Sequence, residues 1–158
     1  MDIKERDILF MREALGQARE AYDMGEVPVG CVVTCGDEIV GRGFNRRETG
    51  KNALLHAETA AIYEACTVLG GWRLFMCELY VTLEPCPMCA GAIVNSRVKR
   101  VIYGAPDSKA GAFGGVFDMN SFPLNHKPEI TAGVCGEECS EMLRSFFREL
   151  RERKSAER

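Results

Sequence analysis

Cys86 and Cys89 are separated by two residues in Leu83-Glu84-Pro85-Cys86-Pro87-Met88-Cys89-Ala90, where the apolar run of residues 79–83 gives way to a helix start. Two thiols on the first turn of one helix share a face, which is metal-ligand spacing. Upstream, His56-Ala57-Glu58 offers an imidazole and a carboxylate. The chain has only two histidines, His56 and His126, so a histidine-rich metal site is excluded and the cysteine pair needs one further ligand. His56 fits that need. It also lies at a helix start after a strand and a loop, and neighbouring crossovers bring two helix N-termini to the same edge of a sheet. Two thiolates and one neutral imidazole balance the charge of Zn2+ and leave the fourth tetrahedral position open, as in a catalytic rather than a structural site. Water in such a position has its pKa lowered from about 15.7 towards about 7. Thiolates donate charge to the metal, so the acidification is smaller than with three histidines and a general base must help. Glu58 is placed to take the water's proton and later deliver it to a substrate.

Other readings of these residues stand beside this one. A lone Cys-x-x-Cys also serves as a redox pair or as half of a structural zinc knuckle, and His56 alone as a core histidine. Cys135 and Cys139, four apart at the last helix, have no flanking histidine and read as core thiols. So do Cys31, Cys35, Cys66 and Cys77, in apolar surroundings. His126, after Asn125, reads as a hydrogen-bonding loop residue.

The elements that must position the site follow from periodicity. Residues 7–24 carry apolar side chains at helical spacing (Met11, Leu15, Ala18, Tyr22) and end at Gly25, which describes an amphipathic helix. Residues 28–34 and 38–44 read as strands joined by the turn Cys35-Gly36-Asp37, an antiparallel hairpin. The polar loop 45–52 opens into a second helix over 55–69, with His56 and Glu58 in its first turn and Gly70-Gly71 behind it. A strand at 79–83, a helix at 87–95 with proline tolerated in its first turn, and a strand at 100–103 follow. This alternation implies right-handed crossovers and a parallel portion of sheet beside the hairpin, an α/β arrangement. Residues 105–125 form the longest stretch without a clear period, the kind of loop that is functional or disordered. Residues 129–134 read as a last strand and 137–153 as a closing helix; the tail 154–158 is expected to fray.

Composition sets the limits. At 158 residues and 46% hydrophobic, the chain buries one core and is expected to be a single domain over residues 1–158. The charged start Met1-Asp2-Ile3-Lys4-Glu5-Arg6-Asp7 is unlike a signal peptide, and no apolar run approaches the roughly 18 residues of a membrane span. A cytoplasmic protein without membrane association is expected. In a reducing compartment the eight cysteines are metal ligands or core thiols rather than disulfides. The net charge of −3 argues against coating nucleic acid by bulk electrostatics. Residues 144–158, however, carry six basic and three acidic side chains, so a local RNA contact at the C-terminus stands beside the plain reading of a solvated helix face.

His56-Ala57-Glu58 with Pro85-Cys86-Pro87-Met88-Cys89 resembles the zinc-dependent nucleoside and base deaminases. The resemblance extends further. Glu26-Val27-Pro28-Val29-Gly30, Gly43-Phe44-Asn45-Arg46, Leu79-Tyr80-Val81-Thr82-Leu83, Cys89-Ala90-Gly91-Ala92, the run from Gly104 to Ala112 and Phe146-Phe147-Arg148 look like the bacterial tRNA-specific adenosine deaminases. Residues 7–153 are covered, nearly the whole chain. The resemblance implies a cytidine-deaminase-like three-layer α/β/α sandwich with a mixed five-stranded sheet, one Zn2+ per subunit and a homodimer with its sites near the subunit interface. It implies hydrolysis of the wobble adenosine of a tRNA anticodon loop, commonly that of an arginine tRNA, to inosine. A base in such a loop is already unpaired, so extrusion costs less than from a duplex. His56, Cys86 and Cys89 would hold the metal and Glu58 would be catalytic.

By the same resemblance Asn45 would hydrogen-bond the target nucleoside; a turn residue is the alternative. Asp107 would sit beside the target nucleotide, where a carboxylate can accept from a ribose 2′-hydroxyl, and Lys109 would serve phosphate. Phe147 and Arg148 would stack on and pair with RNA, with at most one of Phe146 and Phe147 facing it, since helical spacing puts the other in the core. Some relatives carry arginine where this chain has Pro106, which implies one phosphate contact fewer. Two rival functions remain at this level: the same chemistry on a free base or nucleoside such as guanine or cytosine, and a non-catalytic zinc-stabilised module. The loop Asp107-Ser108-Lys109 and the basic C-terminus have little use for a free base, and Glu58 would have no duty in a non-catalytic module.

Overall fold

Five strands form one mixed sheet in the order β2-β1-β3-β4-β5 in the computed structural model, which describes residues 1–158. They are β1 (Gly30–Cys35), β2 (Glu38–Phe44), β3 (Cys77–Leu83), β4 (Arg100–Ala105) and β5 (Glu129–Ala132). The helices are α1 (Ile3–Asp23), α2 (Ala57–Leu69), α3 (Pro87–Asn95) and α4 (Gly136–Ala156). β1 pairs antiparallel with both β2 and β3, while β3–β4 and β4–β5 are parallel, so the hairpin borders a parallel half. Alternation along the strands separates two cores. Cys31, Val33, Leu79, Val81, Val101 and Tyr103 point to the side packed by Ala57, Ala61, Ala90 and Ile93 of α2 and α3. Val32, Tyr80 and Ile102 point to the other side, against Phe10, Met11 and Ala14 of α1 and Cys139 of α4. The result is the expected α/β/α sandwich.

Element boundaries depart from the periodic reading for local reasons. α1 begins at Ile3 because Asp2 and Glu5 form a capping box: the Asp2 carboxylate accepts from the Glu5 N–H at 2.9 Å and that of Glu5 from the Asp2 N–H at 3.2 Å. β5 stops at Ala132 because Gly133 turns left-handed, with φ 87°. His56 caps α2 from outside its first turn. α4 continues through Ala156, so the expected frayed tail shrinks to Glu157 and Arg158.

The tight seat of α2 fixes the site. A Cβ on Gly41 would strike the Ala61 carbonyl oxygen and one on Gly43 that of Ala57. Only glycine lets the helix backbone lie so close to β2. At the opposite, N-terminal end of β3 and β4, Arg100 donates to Asp7 at 2.6 and 2.9 Å and to Glu78 at 2.9 Å, and the Tyr80 hydroxyl donates to Asp7 at 3.0 Å. This buried ion pair has its hydrogen bonds satisfied, the condition under which such a pair is tolerated. No helix is long and apolar enough to cross a membrane.

Candidate active site

Two helix starts carry the side chains that could hold a metal ion. Cys86 caps α3 in an extended conformation, its thiol makes no capping bond, and Pro87 follows where its missing N–H costs nothing. His56 caps α2 in the same way. The Thr59 hydroxyl serves its backbone, accepting from the His56 N–H at 3.2 Å and donating to the Leu54 carbonyl at 2.5 Å. The two side chains turn towards each other.

His56 Nδ1 lies 3.6 Å from Cys86 Sγ and 3.5 Å from Cys89 Sγ, and the three ligand atoms all fall within 4.8 Å of one another. A tetrahedral zinc with bonds of about 2.05 Å to nitrogen and about 2.3 Å to sulfur separates its nitrogen and sulfur ligands by about 3.5 Å. The donor set and its spacing fit zinc. No other three His, Cys, Asp or Glu side chains converge in this way. The Cys86 thiol is pulled down to about 4, first by the hydrogen bond from the Cys89 thiol and also by His56, against the cost of burial. Cys89, which holds the shared proton and is buried, is pushed up. The positive ends of the two helix dipoles favour the thiolate form.

Glu58, one residue into α2, has a buried side chain on the same wall. Burial, aided by the nearby Cys86, pushes its carboxyl up to about 7. His56, Glu58 and Cys86 line a cleft of about 490 Å³, with Cys89 fully buried behind it.

The sequence-derived substrate residues distribute around this cleft unevenly. Asn45 lines it, but its amide is also engaged in a turn, donating to the Val27 carbonyl at 3.2 Å and accepting from the Arg47 N–H at 3.1 Å. Asp107 and Lys109 form the opposite lip, where Asp107 Oδ1 accepts from the N–H groups of Lys109 at 2.9 Å and Ala110 at 3.2 Å. Phe147 reaches the cleft from α4 and is exposed, whereas Phe146 is buried against Tyr22, ring centroids 5.6 Å apart. Arg148 lies outside the cleft, in the adjoining groove that it shares with Lys109, Arg144 and Arg151. His126 is a loop residue bonded to the Val98 carbonyl at 2.6 Å.

Two buried acids escaped the sequence reading. Glu26 accepts from the N–H groups of Glu48 at 3.2 Å and Thr49 at 2.8 Å and from the Thr49 hydroxyl at 2.7 Å, which pins the loop after Asn45. Glu84 accepts from Asp107, Phe113 and Gly115 N–H groups and pins the loop after β4. Their signal was a lone carboxylate between apolar or imino residues, Gly25-Glu26-Val27 and Leu83-Glu84-Pro85.

Residues 4–105 match the family described as the cytidine and deoxycytidylate deaminase zinc-binding region. The chain belongs to this family of zinc-binding deaminases. Within it, the similarity is to tRNA-specific adenosine deaminases. That of Bacillus subtilis (strain 168) is 49% identical over 154 residues, 97% of this chain and 96% of the relative. A structure solved in a study of A-to-I editing by deaminases acting at the wobble position of transfer RNA superposes with a TM-score of 0.80 at 41% identity, covering 85% of this chain and 98% of that one. A guanine deaminase from Bacillus subtilis also shares the fold, with a TM-score of 0.60 at 38% identity over 67% of this chain and 66% of that one.

Proposed function

We propose that the protein deaminates adenosine to inosine by hydrolysis at the wobble position of a tRNA anticodon loop, with an arginine tRNA as substrate. One observation carries the reading: the His56, Cys86 and Cys89 trio and the Glu58 carboxyl share a cleft whose lip bears Asp107, Lys109 and Phe147. The near full-length similarity to tRNA-specific adenosine deaminases supports the substrate class. A free base needs no lip of this kind; a looped-out nucleotide does.

Zinc bound by His56, Cys86 and Cys89 would supply Lewis-acid activation, lowering the pKa of water and making it a nucleophile near neutral pH. Glu58 takes a proton from the attacking water and delivers it to N1 of adenine as the oxygen adds to C6. The proton of the hydroxyl added at C6 then passes through the same carboxyl to the exocyclic nitrogen, which leaves as ammonia while C6 becomes the carbonyl carbon of inosine. Cleft walls that exclude bulk water strengthen these polar contacts. Asn45 and Asp107 hold the base and its ribose, Lys109 faces phosphate, and Phe147 offers a stacking face, with Arg148 acting one groove farther along.

We assign one zinc per subunit, since one trio of donors is present per chain. A homodimer is supported by Tyr63, Val68, Trp72, Phe75 and Met76, exposed apolar side chains on α2 and the segment behind it. The tRNA substrate and the thiolate ligands favour the cytoplasm. The test offers zinc-loaded protein an arginine-tRNA anticodon stem-loop and, separately, guanine, cytosine and adenosine. Inosine at the wobble position is expected; ammonia from a free base without edited RNA would assign the cleft to that base instead.

A further inference from the structure

We propose that Glu84 is a positioning residue that registers the RNA-facing lip of the cleft to the metal-binding turn. The proposal rests on the tRNA reading above and extends it. Glu84 lies two residues before Cys86, is 2% exposed and forms no ion pair. Its charge is instead met by main-chain donors: Oε1 accepts from the Asp107 N–H at 3.0 Å, and Oε2 from Phe113 at 3.0 Å and Gly115 at 2.9 Å. Its own N–H donates to the Ala105 carbonyl at 2.8 Å, and the Ala112 N–H reaches the Pro85 carbonyl at 2.9 Å. Residues 107–115 thus close a ring around one carboxylate.

The ring is fitted to that group. A Cβ on Gly111 would strike the Glu84 carboxylate, and one on Gly115 would strike the Asp107 carbonyl oxygen first and then meet Glu84 Oε1 at 2.8 Å and Oε2 at 3.0 Å. No lone carboxylate is buried without compensation, and charge-assisted hydrogen bonds are the strong kind. The anchored Asp107 then accepts from Lys109 and Ala110, which sets the lip. Glutamine cannot substitute, because its amide nitrogen would turn a donor towards at least one N–H.

The experiment compares the zinc-loaded parent with Glu84→Gln and with Glu84→Asp, which keeps the charge on an arm one methylene shorter. For the anticodon stem-loop, both variants are expected to raise KM at least tenfold with kcat within about threefold of the parent. Amide hydrogen exchange in residues 107–115 is expected to accelerate at least tenfold while that of α2 stays unchanged. Unchanged KM and unchanged exchange in both variants would overturn the proposal, as would equal acceleration throughout the chain. If Glu84→Gln does not fold, Glu84→Asp decides alone by the same two readouts. Should the parent not act on the RNA, the functional reading fails by itself, and the exchange data still test the hold of Glu84 on the loop.

Discussion

Glu58 is a buried acid at the cleft, held beside Cys86, Cys89 and His56. It is 4% exposed yet lines the cleft wall beside the metal-binding trio. Glu58→Gln keeps the shape and removes the proposed proton carrier, so kcat is expected to fall by about 10²- to 10⁴-fold with zinc content unchanged, as metal analysis and single-turnover kinetics would show. The neighbours Phe146 and Phe147 offer a second contrast. Phe146, 3% exposed, contributes packing, and Phe146→Ala should cost about 3–5 kcal/mol in denaturant unfolding. Phe147, 39% exposed, has little core to leave; Phe147→Ala should weaken stem-loop binding by about 1–3 kcal/mol while the melting temperature holds. Sequence spacing expected one of the pair in the core. Only the packing against Tyr22 shows that it is Phe146.

At the scale of elements, the site is as good as the seating of α2 and its two neighbouring loops. Gly43→Ala forces a methyl group onto the Ala57 carbonyl and displaces the helix start that carries His56. A loss of about 1–3 kcal/mol of stability is expected, together with weaker zinc binding in a chelator competition. Glu26 gives this scale its pH dependence. Burial alone would raise its carboxyl, but donation from Thr49 and Glu48 and the charge of Arg47 more than offset that and hold it below the usual carboxylate range. A depressed folded-state value means that the stabilisation is complete above the unfolded value of about 4.5 and is lost as pH falls through the folded one. Thermal melts of Glu26→Gln should therefore lack part of the parent's acid destabilisation.

Helices and strands were readable because apolar period marks them; β2 and α3 match the sequence expectation residue for residue. The metal trio was readable because few chemistries need Cys-x-x-Cys with one available histidine. The anchoring of the loops was not. The hydrogen bonds that Glu84 accepts from the Asp107, Phe113 and Gly115 N–H groups span 23 to 31 residues and have no period, so nothing local announces them. α1 began early for a similar reason, since a capping box is polar and precedes the apolar pattern.

For the whole molecule, charge sets the expected salt dependence of RNA binding. The net charge is −3, yet Lys109, Arg144, Arg148 and Arg151 share one groove beside the cleft. Roughly four phosphate contacts at about −0.7 each give a log–log salt slope near −3, shallow for a nucleic-acid protein. A slope near −10 in a filter-binding titration would point to a much wider basic surface. The most direct test of the central claim is sequencing of a full-length arginine tRNA after incubation with the parent and with Glu58→Gln, both carrying equal zinc. The expected result is inosine at the wobble position with the parent and unedited adenosine with the variant. Equal editing by both proteins would contradict the role given to Glu58, and unedited tRNA with the zinc-loaded parent would contradict the substrate.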